Sequence, residues 1–385
     1  MKKIALLGST GSIGVQVLGV VSRYPELFSI VSLSAGSNAE LFREQVKAFR
    51  PKVATLKDAS AFSRVKENLP TTTTYAVGED SVLSAIVEEA DIVVVAVVGF
   101  AGLQCVLKAI EMGKPIALAN KESLCCGGEL VTRLAKEKNV PIYPVDSEHS
   151  AIWQCLDFDK TRECVSLTLT ASGGPFWRLT KEEIAGVTKA QALKHPTWNM
   201  GAKITIDSAT LANKGLEVME ARYLFDIPED RIEVVIHPES IVHSAVNFAD
   251  GVTMAQMSYP NMEIPIQLAL TAPSRIPTTV KKLDLATLSQ LTFYPVPEEK
   301  FPCFHLARQA LKAGGVLPCA YSVANEAAVF AFLREEIRFS QIPYYISLAM
   351  DKISNERADT YQTLLSVKTE AERIVTAAIR GQLCK

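Results

Sequence analysis

From Lys3 to Val145 the chain repeats one rhythm, in which short β-branched apolar runs alternate with longer stretches of helical periodicity. That alternation marks βαβ units, whose parallel strands form a sheet covered by helices on both faces. Candidate strands run 3–7, 29–34, 53–56, 92–98, 115–119 and 141–145. The run from Ile92 to Val98 is apolar on both alternating faces, as a central strand buried from both sides requires. With 385 residues the chain exceeds one ordinary core, so two or three domains are expected.

Beyond Asp146 the rhythm changes. A candidate strand at 165–170 runs into Ala171-Ser172-Gly173-Gly174-Pro175, and a polar stretch of little periodicity follows to Lys203. Such a stretch is either a functional loop or a loosely ordered connection. A helix is expected over 209–224, then strands near Val234 and Val242 and at 252–257, spaced as in a mainly antiparallel sheet. Prolines at 273, 277, 295, 297 and 302 predict an extended connector over 273–302. Apolar spacings of three and four then predict helices at 304–313, 324–335 and 370–380, a small C-terminal bundle.

Forty basic and forty-two acidic residues leave a net charge of −2, which provides no chain-wide field to attract nucleic acid or anionic lipid. Hydrophobic residues make up 48%, enough to bury cores and exclude global disorder. No apolar stretch reaches the roughly 20 residues that span a bilayer, and no signal segment precedes the first strand. The expectation is a soluble cytoplasmic protein. Its eight cysteines, at 105, 125, 126, 155, 164, 303, 319 and 384, form no C-x-x-C pair and read as buried free thiols.

Gly8-Ser9-Thr10-Gly11-Ser12-Ile13-Gly14 lies between the first strand and an apolar helical pattern. Glycines there let backbone N–H groups at a helix N-terminus approach a pyrophosphate. The spacing is G-x-x-G-x-x-G rather than the usual G-x-G-x-x-G, so an ordinary glycine-rich turn is the alternative. The second strand ends in Gly36-Ser37-Asn38 without an acid, which favours NADP over NAD because nothing repels a 2′-phosphate. No lysine or arginine lies in that loop, and Arg43 is the nearest cation in sequence.

Asp146-Ser147-Glu148 stands at the tip of the last strand of this region, where ligands of open α/β sheets collect. In an extended segment residues two apart point the same way, so two carboxylates can converge on a hard divalent cation. A solvated acidic turn is the other reading. Asn213 and Glu217 share a helix face and offer a third carboxylate, against an exposed Lys214/Glu217 surface pair. Ser208 fits an N-cap of that helix, a role compatible with meeting a phosphate. Lys121, in Asn120-Lys121-Glu122-Ser123, is either a crevice cation or a surface lysine beside Glu122. Trp198, in the polar segment His195–Gly201, is either a lid residue or a loop anchor. Pro238 opposes a metalloprotease arrangement of His237 and His243, which read as structural.

Together, Gly8–Gly14, Ala119–Ser123, Val145–His149, Ala171–Pro175, His195–Gly201 and Ala212–Glu217 occur in the order found in the 1-deoxy-D-xylulose 5-phosphate reductoisomerase family, which the chain resembles over essentially its whole length. The resemblance implies an oxidoreductase of the non-mevalonate isoprenoid pathway that uses NADPH and one divalent cation, Mn²⁺ or Mg²⁺. Its reaction rearranges 1-deoxy-D-xylulose 5-phosphate and reduces the product to 2-C-methyl-D-erythritol 4-phosphate. The implied architecture is α/β: a Rossmann-like doubly wound NADPH-binding domain at 1–146, an α+β catalytic domain at 147–272 with a flap near 195–203, the connector at 273–302, and the helical domain at 303–385.

By the same resemblance the metal falls on Asp146, Glu148 and Glu217, and the phosphate on Ser172, Ser208, Asn213 and Lys214 with His195. Lys121 and Ser147 meet the hydroxylated backbone of the substrate, Trp198 covers it, and Lys121, Glu148 and His195 serve catalysis. Cofactor positions are Thr10, Gly11, Ser12, Ile13, Gly36, Ser37, Asn38, Asn120, Glu122 and Gly201. The family implies a homodimer, with no nucleic-acid or membrane partner. One departure is that many members carry a basic residue where this chain has Ser37. The rival readings are a plain NADP-dependent sugar-phosphate or polyol dehydrogenase and a catalytically silent nucleotide-binding scaffold.

Overall fold

The computed structural model describes residues 1–159, 164–198 and 200–381, which form two compact units. The first comprises Met1–Ser123, Val131–Ser150 and Asn261–Val280. Seven strands, β1 (Lys2–Leu7), β2 (Phe28–Ala35), β3 (Val53–Leu56), β4 (Thr74–Val77), β5 (Ile92–Val95), β6 (Ile116–Leu118) and β7 (Ile142–Pro144), form a parallel sheet in the order β4-β3-β2-β1-β5-β6-β7. The order reverses at β1, which pairs with both β2 and β5, and ligands of such sheets bind at the strand tips of that reversal.

Ile4, Leu6, Leu33, Ile92 and Val94 face a core shared with Val17, Val21, Phe42 and Val46 of the helices Ser12–Arg23 and Ala39–Phe49. Each such side chain removed from water contributes about 1.5–3 kcal/mol. Ile266 and Leu270 join this core from the distant helix Glu263–Thr271, whose Glu263 pairs with Arg23.

Two strands depart from the expected limits. The half-exposed edge strand β4 was hidden by the threonine run that opens it. β5 stops at Val95, and Val98 is 67% exposed, because the chain turns away where the Asn120 amide donates to the carbonyls of Val97 and Gly99.

The second unit comprises Leu124–Leu130, Ala151–Pro260 and Lys281–Lys385. Its strands β8 (Ser166–Ala171), β9 (Ile232–Ile236), β10 (Val242–Asn247), β11 (Thr253–Met257) and β12 (Tyr294–Pro295) are ordered β11-β10-β8-β9-β12. The pairings are antiparallel except β8 with β9, so the sheet is mixed. That parallel pair follows from the long helical crossover between the two strands. The polar stretch ahead of Lys203 contains two short helices, Lys181–Ala185 and Lys189–Ala192, each opened by a capping box, Thr180 with Glu183 and Thr188 with Gln191.

The helix expected over 209–224 is two helices, Ala202–Ala209 and Ala212–Phe225, parted at Leu211, whose φ is 55°. The C-terminal bundle consists of Pro302–Ala313, Leu317–Leu333, Ile342–Lys352 and Tyr361–Ile379. Buried Tyr321 donates to the Cys303 carbonyl at 2.9 Å and ties the first two together. The described cysteines are free thiols, buried except for the half-buried Cys164, and burial pushes Cys105 up to about 12. Cys384 lies outside the described residues.

Candidate active site

In the first unit, β1 ends at Leu7 and Gly8 turns the chain with φ at 91°. A Cβ on Gly8 would lie 2.5 Å from the Ala96 carbonyl oxygen, and one on Gly14 would lie 2.2 Å from that of Gly8. Only glycine fits either place. Thr10, Gly11, Ser12 and Ile13 carry the chain into the helix Ser12–Arg23, whose N-cap, Gly11, brings no capping side chain. First-turn N–H groups have no intrahelical acceptor, so this helix start is a ready cradle for an anion. The tip of β2 lies alongside, with Gly8 and Ser9 donating to the Ser34 carbonyl at 2.9 and 2.8 Å. Gly36, Ser37 and Asn38 follow, all exposed, and the Asn38 side chain caps the next helix through Leu41.

Asn120 and Glu122, both buried, form a knot in which the Asn120 amide donates to Glu122 at 2.9 Å and its oxygen accepts from the Ser123 backbone. Lys121 is also buried, which removes the surface-lysine reading, and its ammonium binds the Asp146 carboxylate. Asp146 and Glu148 do not lie in an extended segment. The helix Ser147–Cys155 starts there, and Asp146 accepts from the Glu148 N–H at 3.2 Å, as an aspartate preceding a helix does. Burial pushes the Asp146 carboxyl up, but Lys121 and then His149 outweigh it and hold it well below the usual carboxylate range. Ser147 donates to Glu148. His149, which sequence reasoning passed over, is fully buried with Nδ1 3.3 Å from Asp146.

In the second unit, three segments distant in sequence meet at His195. Its Nε2 lies 3.2 Å from the Ser172 hydroxyl and 3.0 Å from that of Ser208. Its Nδ1 accepts from the backbone N–H groups of Thr197 and Trp198 at 3.1 and 2.8 Å. The ring therefore carries its proton on Nε2 and donates toward the two serines. Burial holds its pKa below the ordinary histidine value. Gly174, with φ at 64°, lets the Ser172 loop close on the helix end, since a Cβ there would lie 2.6 Å from the Ser208 carbonyl oxygen. Ser208 is not an N-cap. It belongs to the last turn of Ala202–Ala209, whose N-cap is Gly201.

Asn213 donates to Glu217 at 2.5 Å, and the Lys214 ammonium binds the other Glu217 oxygen. Lys214 and Glu217 are 3% and 1% exposed, so the surface-pair reading falls. Among the described residues the buried side-chain oxygen of Asn213, Oδ1, has no hydrogen-bond partner. Trp198 is half-buried, edge-on to His243 at 6.4 Å, and its neighbour Asn199 lies outside the described residues. His237 is structural, as expected: Nδ1 donates to the Thr292 carbonyl and Nε2 accepts from Ile241 and Val242. A further buried network escaped the sequence, in which Asp207, adjoining Ser208, pairs with Lys203 and accepts from Asn325, both at 2.8 Å. Among the described residues no helix is long and apolar enough to cross a membrane.

Residues 4–128 match the 1-deoxy-D-xylulose 5-phosphate reductoisomerase family, 142–225 its C-terminal domain and 257–374 a further DXP reductoisomerase C-terminal domain. The chain is 48% identical over 382 residues to the 1-deoxy-D-xylulose 5-phosphate reductoisomerase of Caldanaerobacter subterraneus subsp. tengcongensis, covering 99% of this chain and 100% of that protein. It is 44% identical over 381 residues to that of a Geobacillus species, covering 98% and 100%. Among solved structures it superposes on the Zymomonas mobilis enzyme in complex with NADPH with a TM-score of 0.91, 36% identity and coverage of 98% and 99%. Against a DOX-P reductoisomerase in complex with NADPH, fosmidomycin and magnesium the TM-score is 0.94, with 37% identity and coverage of 99% and 98%. Matches that run in order from the glycine loop through the C-terminal helices leave one assignment: this chain belongs to the 1-deoxy-D-xylulose 5-phosphate reductoisomerase family.

Proposed function

We propose that this chain is an NADPH-dependent oxidoreductase that rearranges 1-deoxy-D-xylulose 5-phosphate and reduces the product to 2-C-methyl-D-erythritol 4-phosphate with the help of one divalent cation. The observation that carries this reading is its full-length likeness to reductoisomerases, among them one solved with NADPH, fosmidomycin and magnesium together. The dehydrogenase and scaffold readings explain neither that likeness nor the carboxylates held for a hard cation.

The residues present fit each group. For the dinucleotide, Gly8 and Gly14 clear the space above β1, and we assign the pyrophosphate to the loop of Thr10, Gly11, Ser12 and Ile13, where first-turn N–H groups of the helix Ser12–Arg23 would meet it. We assign Gly36, Ser37 and Asn38 to the adenosine ribose, and Asn120, Glu122 and Gly201 to the same cofactor. For the cation we assign the hard oxygens of Asp146, Glu148 and Glu217. Asp146 and Glu217 each already engage a lysine ammonium, so both carboxylates are set to meet positive charge. The cation, when bound, supplies a Lewis acid for the substrate's oxygens.

We assign the substrate phosphate to Ser172, Ser208, Asn213, Lys214 and the Nε2–H of His195, and the hydroxylated backbone to Lys121 and Ser147. Holding this non-reacting handle fixes the reacting carbons in place. Lys121 and Glu148 hold and move protons at the substrate oxygens. Trp198 and the segment 195–203 exclude water as a flap. In this division residues 1–146 serve the cofactor, apart from Lys121 and Asp146, and 147–272 the chemistry, apart from the helix Glu263–Thr271, which packs into the core of the first unit; 273–302 connect, and 303–385 support. The cytoplasm as location and a homodimer complete the proposal, and light scattering on the eluting peak tests the dimer.

The test of function follows NADPH absorbance with 1-deoxy-D-xylulose 5-phosphate and Mg²⁺ or Mn²⁺. Oxidation that stops with EDTA and yields the branched tetritol phosphate is expected. Oxidation that persists in EDTA would sink the metal assignment.

A further inference from the structure

Ser37 stands where a 2′-phosphate of NADPH is expected, and it carries no charge. Arg43, the nearest cation in sequence, lies in the second turn of Ala39–Phe49 and pairs with Glu40 at 2.8 Å. The sheet brings a different cation to the same tip. β2 and β3 run parallel with Ala35 opposite Leu56, so Lys57 leaves β3 beside Gly36. The ladder continues past both strand ends: Lys57 N–H donates to the Ala35 carbonyl at 3.0 Å, and Asp58 N–H to that of Gly36 at 3.1 Å. One strand spacing, about 4.8 Å, separates the Lys57 backbone from the loop that carries Ser37. Apart from Gly36 and its chain neighbours, no atom of the described residues lies within 4 Å of a Cβ built on Gly36, so the chain is uncrowded there.

We propose that Lys57 supplies the positive charge missing at Ser37 and sets the preference of this chain for NADPH over NADH. The inference rests on the cofactor reading above. The Lys57 ammonium is 2.6 Å from Glu79, in a pair whose side chains are 56% and 76% exposed. Such surface pairs are worth only about 0–1 kcal/mol, so a phosphate monoester of charge near −2 readily takes the ammonium over. Asp58, the acid that follows Lys57, is turned to the helix Ala59–Val65, where it caps Ser60 and Ala61. Its carboxylate is thereby committed elsewhere. Specificity has thus moved from the loop after β2 to the neighbouring strand.

The test is calorimetric binding of adenosine 2′,5′-bisphosphate and of 5′-AMP to the full chain, alongside KM for NADPH and NADH. Lys57→Ala is expected to weaken the bisphosphate and NADPH about tenfold while leaving 5′-AMP and NADH unchanged. Ser37→Arg placed on Lys57→Ala should restore the loss. Unchanged bisphosphate binding in Lys57→Ala, or the same selective loss in Arg43→Ala in its place, would overturn the assignment. Wild-type protein that binds neither nucleotide nor NADPH would overturn the cofactor reading itself, and Lys57 with it.

Discussion

At the tip of β1 the chain offers an anion its backbone, whereas around His195 it offers side chains drawn from separate segments. In the first case the requirement is geometric. Gly8 and Gly14 are needed because a methyl group would strike a carbonyl, and the donors are peptide N–H groups. In the second, Ser172, His195 and Ser208 are 23 and 13 residues apart, and neighbouring Lys214 and Glu217 are buried as a charged pair. Backbone recognition is local and tolerates most side chains around it. Side-chain recognition is long-range and depends on each partner, because removing one member of a buried pair strands the other.

That contrast sets an order of expected effects. Glu217→Gln should be the most severe, with kcat falling about 10²–10³-fold as a metal-facing charge is lost. A lowered Tm should accompany it, since Lys214 keeps a buried ammonium with a weaker partner. Near-normal kcat with unchanged Mg²⁺ titration would remove Glu217 from the metal site. Gly14→Ala comes next, because a Cβ 2.2 Å from the Gly8 oxygen forces the loop apart at about 1–3 kcal/mol. NADPH should bind about tenfold more weakly, with inorganic phosphate binding by the second unit unchanged. Equal loss of both ligands in a calorimeter would show that the two sites are not independent.

The smallest effect is that of pH on His195. Burial lowers its folded pKa, while the unfolded ring titrates near about 6.5. Below that value the unfolded chain binds the extra proton first, so the stability due to the neutral ring is complete above it and is lost as pH falls through the folded value. Ring ¹⁵N shifts at mildly alkaline pH should report a neutral Nε2–H ring, and a proton found on Nδ1 would contradict the two backbone donors aimed there.

The parts of the molecule that were legible in the sequence follow the same division. The glycine loop was readable because a positive φ and a close carbonyl leave glycine as their trace. The parallel sheet was readable from its apolar runs, apart from β4, an edge strand too polar to stand out. Asp146 and Glu148 were readable as acids, but Asp146 was placed in a strand when its side chain starts a helix. Lys214 and Glu217 show the limit most plainly. A lysine three residues before a glutamate looks the same on a wet helix face as in a core, and only the elements packed over it decide which it is. Lys57 is far from Ser37 along the chain, and only strand register brings its backbone beside Gly36.

The break at Leu211 has an electrostatic consequence. Ser208 lies where one helix ends and Asn213 and Lys214 where the next begins. A phosphate held among them would face the negative end of the first helix dipole and the positive end of the second, each equivalent to roughly half an elementary charge. The two fields oppose each other at that point. Net positive charge there has to come from the lysine ammonium, and a neutral residue of any shape in place of Lys214 would leave this corner of the molecule with only the neutral donors of Ser172, His195, Ser208 and Asn213 for an anion.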